Sequence, residues 1–339
     1  MKILVTGGLG YIGSHTAVVL LEKGYEVLLV DNLSNTRAEV LDGIEAISGK
    51  RPEWLNIDLA DPADCRSALE GHQLDGIIHF AAYKAVGESV QEPLKYYQNN
   101  LVSLVNLLDY VSKHPNCGFI FSSSCTVYGQ ADQLPITENA PVKAAESPYG
   151  NTKQIGEEII RETAAAKGLK TIALRYFNPI GAHASARIGE LPLGVPQNLV
   201  PFITQSAAGL RGPLSVYGND YPTEDGTAVR DYIHVVDLAE AHRVALERLI
   251  QGQGKDPMEV FNLGTGTGSS VLEVIQSFDR ATGEALQWAY APRRAGDVIA
   301  AYADTTKARD VLGWVAEKSL DEAMKDAWAW QVALGSDSH

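Results

Sequence analysis

Tyr149 and Lys153 stand four residues apart in the stretch Ser147–Lys153, "SPYGNTK". On a helix that spacing puts both side chains on one face. An ammonium beside a phenol favours the phenolate and lowers the phenol pKa toward physiological pH. Such a phenolate can take a proton from a substrate hydroxyl and later return it. Chance supplies about half an instance of Y-x-x-x-K in a chain of this composition, so the pair gains meaning only from its surroundings. The run "GFIFSSS" ends in Ser122, Ser123 and Ser124, and Ser124 can hold the hydroxyl that Tyr149 would deprotonate.

A second set of residues suits a nucleotide. "TGGLGYIG" spaces Gly7, Gly10 and Gly13 directly after the apolar run "KILVT". Bare backbone there allows a tight turn and close approach to a pyrophosphate, while a following helix N-terminus offers N–H donors and partial positive charge. Asp31 ends the next apolar run, "EVLLV". A carboxylate at that point accepts from a ribose diol and repels a 2′-phosphate, which favours NAD over NADP. "NIDLAD" sets Asp58 after a third run, where it can meet the adenine. "HFAAYKAVGES" sets Lys84 after a fourth, near the pyrophosphate.

These residues need elements that bring them to one edge. Apolar runs at Lys2–Thr6, Glu26–Val30, Trp54–Ile57, Gly76–Phe80, Gly118–Phe121 and Thr171–Arg175 read as strands buried on both faces. Helical segments at Ile12–Lys23, Pro93–Lys113 and Ser147–Lys167 separate them, ending at Gly24, before Pro115 and at Gly168. This alternation predicts an α/β fold, a doubly wound parallel sheet of Rossmann type, over residues 1–177. Residues 178–339 read as a smaller, loop-rich α/β domain with "NDYPTEDGT" (219–227) as a turn or hairpin tip. The boundary is expected to be interleaved, with segments near 230–240 and 259–265 returning to the first domain.

Composition narrows the partners. Of 339 residues, 45% are hydrophobic and 21% charged, which supports a sizeable core. The net charge of −14 disfavours nucleic acid and anionic membranes. Cys65, Cys117 and Cys125 form no C-x-x-C pair, and the eight histidines show no metal-ligand spacing, so neither a disulfide scaffold nor a metal site is expected. "MKILVTGG" is too short an apolar start for a secretory signal, and no later run approaches spanning length, so a cytoplasmic protein is expected.

Almost from end to end the sequence resembles the extended short-chain dehydrogenase/reductase family and, within it, the NAD-dependent nucleotide-sugar epimerases. The stretches that carry this are "TGGLGYIGSH", "DNLSN", "FAAYKAVGES", "FSSSCTVYG", "SPYGNTK", "RYFNPIGAH", "YGNDYPTEDGTAVRDYIHVVDLA", "FNLGTG" and "RRAGDV". The resemblance implies a bound NAD touched by Tyr11, Ile12, Asn32, Asn35, Leu59, Phe80, Ala81, Asn99 and Phe177 as well. It implies interconversion of UDP-glucose and UDP-galactose through a 4-keto sugar. Tyr149 would act as base, Ser124 would orient the 4-oxygen, and Lys153 would hold the nicotinamide ribose and tune Tyr149.

By the same resemblance the second domain binds the UDP-sugar. Asn178, Asn198 and Leu199 would contact it, Tyr217 would pack on the uracil, Arg230 and Arg294 would clamp the diphosphate, and Asp297 would accept from a ribose hydroxyl. Ala301 occupies a position where some members carry tyrosine, and its small side chain implies acceptance of UDP-N-acetylhexosamines; a one-residue shift puts Tyr302 there instead. A homodimer through Pro93–Lys113 and Ser147–Lys167 is also implied. The competing readings are a nucleotide-sugar 4,6-dehydratase, a decarboxylase and a non-catalytic NAD-binding regulatory protein. A dehydratase needs an acidic pair beside the serine strand, where this chain has Cys125 and Thr126.

Overall fold

The computed structural model describes residues 1–294 and 297–336; Ala295 and Gly296 of "RRAGDV" and the last three residues lie outside them. Strands β1 (Lys2–Thr6), β2 (Glu26–Val30), β3 (Glu53–Leu55), β4 (Gly76–His79), β5 (Gly118–Ser124) and β6 (Thr171–Tyr176) alternate with helices. These helices are α1 (Tyr11–Glu22), α2 (Val40–Ser48), α3 (Pro62–Leu69), α4 (Val86–Gln91), α5 (Pro93–Lys113) and α6 (Pro148–Lys167). The third strand is shorter and earlier than the apolar run suggested.

The chain then forms β7 (Asn178–Ile180), α7 (Leu199–Ala207), β8 (Leu214–Tyr217), β9 (Val229–Arg230), β10 (Tyr232–His234), α8 (Val235–Ile250) and β11 (Met258–Leu263). It ends with β12 (Ser269–Ser270), α9 (Val271–Thr282), β13 (Trp288–Ala291), β14 (Ala300–Ala301) and α10 (Leu320–Ser336). Strand β11 pairs in parallel with β6 and closes a seven-stranded sheet of order β11-β6-β5-β4-β1-β2-β3. The strand order reverses beside β1, between β1 and β4, and ligands of open α/β sheets sit at the carboxyl ends of strands at such a point.

Each central strand feeds two cores. In β1, Ile3 and Val5 pack toward α1, α2 and α8, whereas Leu4 packs toward α3, α5 and α6. Ile77 and Ile78 of β4 divide the same way, both fully buried. Side chains alternate across a strand, so a continuous apolar run is what two covered faces demand. Each such aliphatic side chain contributes about 2 kcal/mol of transfer free energy. A separate core joins α7, β8, α9 and α10 around Ile203, Phe278 and Met324.

"NDYPTEDGT" does turn, with the Tyr221 N–H donating to the Gly226 carbonyl at 3.0 Å. It is not a hairpin tip. The strands on either side find other partners: β8 pairs with β13, and β9 with β12 and β14.

Candidate active site

Helix α6 starts where local chemistry sets it. Ser147 is extended and its hydroxyl accepts from the Gly150 N–H at 3.2 Å, while Pro148 takes the first helical position. Tyr149, Lys153 and Glu157 follow as one stripe. Lys153 is 5% exposed, and its ammonium donates to the Ser122 carbonyl at 2.7 Å. It lies 5.8 Å from the centre of the Tyr149 ring. Burial lowers the Lys153 pKa to about 8, with the Glu157 carboxylate working against that shift, so the group is still mainly charged at neutral pH.

Tyr149 departs from the sequence reading. Burial pushes its phenol well above the ordinary value, Tyr176 adds to the rise, and hydrogen bonding with Ser124 opposes it. The ammonium donates to a carbonyl oxygen rather than to the phenol, and partial burial favours the uncharged form. Tyr149 therefore rests as a neutral phenol beside Ser124.

The nucleotide cleft opens at the reversal of strand order. A Cβ on Gly13 would sit 2.2 Å from the Gly7 carbonyl oxygen, so helix and loop meet this closely only with bare backbone. Gly10 begins α1 without a side-chain cap, which leaves first-turn N–H groups available to a ligand. Across the loop, buried Asp31 accepts from the Leu9 N–H at 3.1 Å and from the Leu33 N–H at 2.9 Å. Leu33 adopts a φ of 58° at this turn, a conformation uncommon for a branched side chain. These features fit a dinucleotide: bare backbone and N–H groups for its phosphates, and a fixed carboxylate for a ribose diol.

Gly7, Gly10, Tyr11, Ile12, Gly13, Asp31, Asn32, Asn35, Asp58, Leu59, Phe80, Ala81, Lys84, Asn99 and Phe177 all line this one cleft, together with Ser124, Tyr149 and Lys153. Ser122 and Tyr176 are among the further wall residues to which the sequence assigned no role. Their hydroxyls pair with each other, and burial pushes the Tyr176 phenol up to about 12. Tyr176 directly precedes Phe177 in "RYFNPIGAH", so that motif held the only available signal. Lys84 extends from the loop after β4 and meets Glu190 at 3.2 Å.

A second cavity adjoins the first and shares Asn178, Pro179 and Asn198 with it. Leu199, Tyr217, Arg230, Arg294 and Asp297 line it, with Tyr232 as an additional wall. Asp297 organises the two arginines. One of its oxygens accepts from Arg230 Nη2 at 2.8 Å, and the other from Arg294 Nε and Nη2 at 3.1 and 3.0 Å. The Arg294 guanidinium also lies 5.0 Å from the centre of the Tyr217 ring. Two fixed guanidinium forks and an aromatic face suit a diphosphate joined to a flat base.

Ala301 lines neither cavity. It packs against the cluster of Val127, Tyr128, Ile136, Phe177 and Ala303. Tyr302 turns elsewhere, onto Gly268, where an added Cβ would sit 3.1 Å from the tyrosine ring. Cys125 and Thr126 follow Ser124 in a 3-10 turn, and burial pushes the Cys125 thiol up to about 11. Among the described residues, no group of three or more His, Cys, Asp or Glu is arranged to hold a metal, and no helix is long and apolar enough to cross a membrane.

Comparison with known proteins places this arrangement in a family. A family model described as GDP-mannose 4,6 dehydratase matches residues 4–327. The UDP-glucose 4-epimerase of Bacillus subtilis (strain 168) is 50% identical over 332 residues, covering 98% of this chain and 97% of its own. The crystal structure of a UDP-glucose 4-epimerase from Stenotrophomonas maltophila, with bound NAD and formylated UDP-arabinopyranose, superposes with a TM-score of 0.95 at 45% identity, covering 99% of both chains. That of the UDP-Glc/GlcNAc 4-epimerase from Campylobacter jejuni gives 0.84 at 36% identity, covering 98% of this chain and 99% of its own. The chain belongs to the UDP-glucose 4-epimerase family, within the wider group that the GDP-mannose 4,6 dehydratase model describes.

Proposed function

We propose that this protein is a NAD-dependent epimerase that interconverts UDP-glucose and UDP-galactose, and that it also accepts the N-acetylated UDP-hexosamines. One observation carries the reading. Ser124, Tyr149 and Lys153 share a cleft with the glycine cradle, and the arginine-lined cavity opens from that cleft at Asn178 and Asn198. A nucleotide sugar anchored at Arg230 and Arg294 can therefore present its hexose to Tyr149.

Bound NAD supplies a reversible hydride acceptor for C4 of the sugar. Ser124 holds the 4-oxygen, and Tyr149, once its own phenol proton has left to solvent, takes the 4-hydroxyl proton as phenolate and later returns it to that oxygen. Because desolvation holds the half-buried Tyr149 phenol neutral at rest, the positive charge of Lys153 matters when the phenolate forms. Arg230, Arg294 and Asp297 keep the UDP portion fixed while the 4-keto sugar presents its other face. The proton and the two electrons taken from C4–O4 both return, so no net oxidation occurs. A dehydratase would need an acidic pair beside Ser124, and Cys125 and Thr126 stand there.

Acceptance of acetylated sugars is supported by the likeness to the UDP-Glc/GlcNAc 4-epimerase, and Ala301 bears on it only through the cluster that contains the cleft residue Phe177. We further propose a division into 1–177 and 178–339, with α8 and β11 belonging to the first part. The exposed apolar residues Leu94 and Val105 of α5 support pairing with a second copy through α5 and α6. Free thiols at Cys65, Cys117 and Cys125 agree with a cytoplasmic setting. The function is tested by giving the purified protein UDP-galactose with no added cofactor. UDP-glucose should form without accumulation of NADH, and stoichiometric NADH would overturn the reading.

A further inference from the structure

The geometry points to Glu190 as a positioning residue that sets the junction of the two cavities for the UDP-sugar; this rests on the function proposed above. Glu190 Oε1 accepts from Asn198 Nδ2 at 2.7 Å and from Lys84 Nζ at 3.2 Å. Asn198 lines both cavities and Lys84 the nucleotide cleft, while Glu190 itself lines neither. One carboxylate therefore reaches a side chain of each site.

The behaviour of Asn198 shows that this contact overrides a local preference. Asn198 is the N-cap of α7, a position where an asparagine ordinarily accepts from a backbone N–H of the first turn. Here its side chain makes no cap bond and turns to Glu190. A carboxylate only accepts, so it is the NH2 end of the amide that Glu190 holds. The carbonyl oxygen of Asn198 is then the end presented to a ligand donor.

Glu190 is itself anchored from another element. Trp330 of α10 donates its indole N–H to the Glu190 carbonyl at 2.9 Å. A Cβ on the preceding Gly189 would sit 2.4 Å from Trp330 Cδ1, so the indole lies flush against this backbone. The Glu190 side chain is 12% exposed, against 55% for Lys84. The rigid partner is thus Glu190, and Asn198 and Lys84 take their places from it.

The test is calorimetric titration of UDP into the NAD-containing protein, combined with UDP-galactose kinetics. Glu190→Ala should weaken UDP binding about tenfold and raise KM similarly, the loss expected for one hydrogen bond to a charged acceptor. Its kcat, its NAD content and its thermal midpoint should stay near wild type. Glu190→Gln keeps an acceptor for Asn198 and loses only the exposed lysine pair, so affinity should return to within about threefold of wild type. In an Asn198→Ala background, Glu190→Ala should add less than about twofold.

Equal UDP affinity in wild type and Glu190→Ala overturns the inference. So does a joint fall of kcat, NAD content and thermal midpoint, which would mark Glu190 as merely structural. Wild-type protein that neither binds UDP nor turns over UDP-galactose overturns the proposed function and this inference with it. Turnover by wild type with unaltered variants overturns this inference alone.

Discussion

Lys153 donates to the carbonyl of Ser122 at 2.7 Å, and that bond ties the helix of Tyr149 to the strand whose last residue is Ser124. The lysine thus sets the geometry of the pair as well as the charge beside it. Lys153→Met should lower kcat by about 100-fold or more, since it removes the charge that supports the phenolate. Lys153→Arg should not restore it, because a planar guanidinium does not fit a site that is 5% exposed. Steady-state kinetics on both variants, with bound NAD measured by absorbance, checks this.

Glu157 lies one turn beyond Lys153 and joins Arg175 in a buried ion pair, with Arg175 Nε at 2.8 Å and the Ser123 hydroxyl at 2.6 Å from the same carboxylate oxygen. Glu157→Ala leaves a buried guanidinium without its counter-charge and should cost about 3–5 kcal/mol. Adding Arg175→Met should recover most of that loss. Denaturant unfolding of the single and double variants tests the coupling; equal stabilities for both would contradict it.

Three buried histidines predict acid sensitivity. Burial lowers His15 and His79 to about 3 and His242 to about 4. The unfolded chain, near pKa 6.5, binds protons that the folded chain refuses, so stability is full above pH 6.5 and falls as pH drops toward these lowered values. At pH 5 each group should have cost about 2 kcal/mol. Among the described residues His242 Nε2 has no hydrogen-bond partner, and His242→Gln should reduce the acid slope by one proton. Thermal midpoints from pH 4 to 8 check the slope, and a flat profile would contradict it.

Ala301 gives a selective prediction. A tyrosine there would press on the cluster that includes Phe177, a residue of the cleft wall, and can reach the sugar only by displacing it. Ala301→Tyr should lower turnover of UDP-N-acetylgalactosamine about 100-fold while leaving UDP-galactose within about threefold. Coupled assays on both sugars decide it, and equal effects on the two would remove the residue from any role in selectivity.

Much of the architecture was legible because it depends on local pattern. Continuous apolar runs such as "GIIHF" mark strands covered on both faces, and Ser147–Pro148 marks the start of α6 by cap chemistry. The residues of the nucleotide cleft were legible because they follow strand ends that share one edge. What stayed hidden depends on pairing at a distance. β8 and β9 are short, and their partners β13, β12 and β14 lie more than thirty residues away, so nothing local distinguished a hairpin from a loop. The resting state of Tyr149 was hidden for a similar reason, since burial and the direction of Lys153 are set by tertiary packing. Glu190 carried no motif, and its meaning comes only from Asn198 and Lys84 meeting it in space.

A proton leaves the sugar 4-oxygen, a hydride leaves C4, and both return. The most direct measurement supplies UDP-galactose deuterated at C4 to the purified protein in ordinary water, with no added cofactor. UDP-glucose carrying the deuterium at C4 is the predicted product. Loss of the label to water, or its appearance in released NADH, would contradict the account.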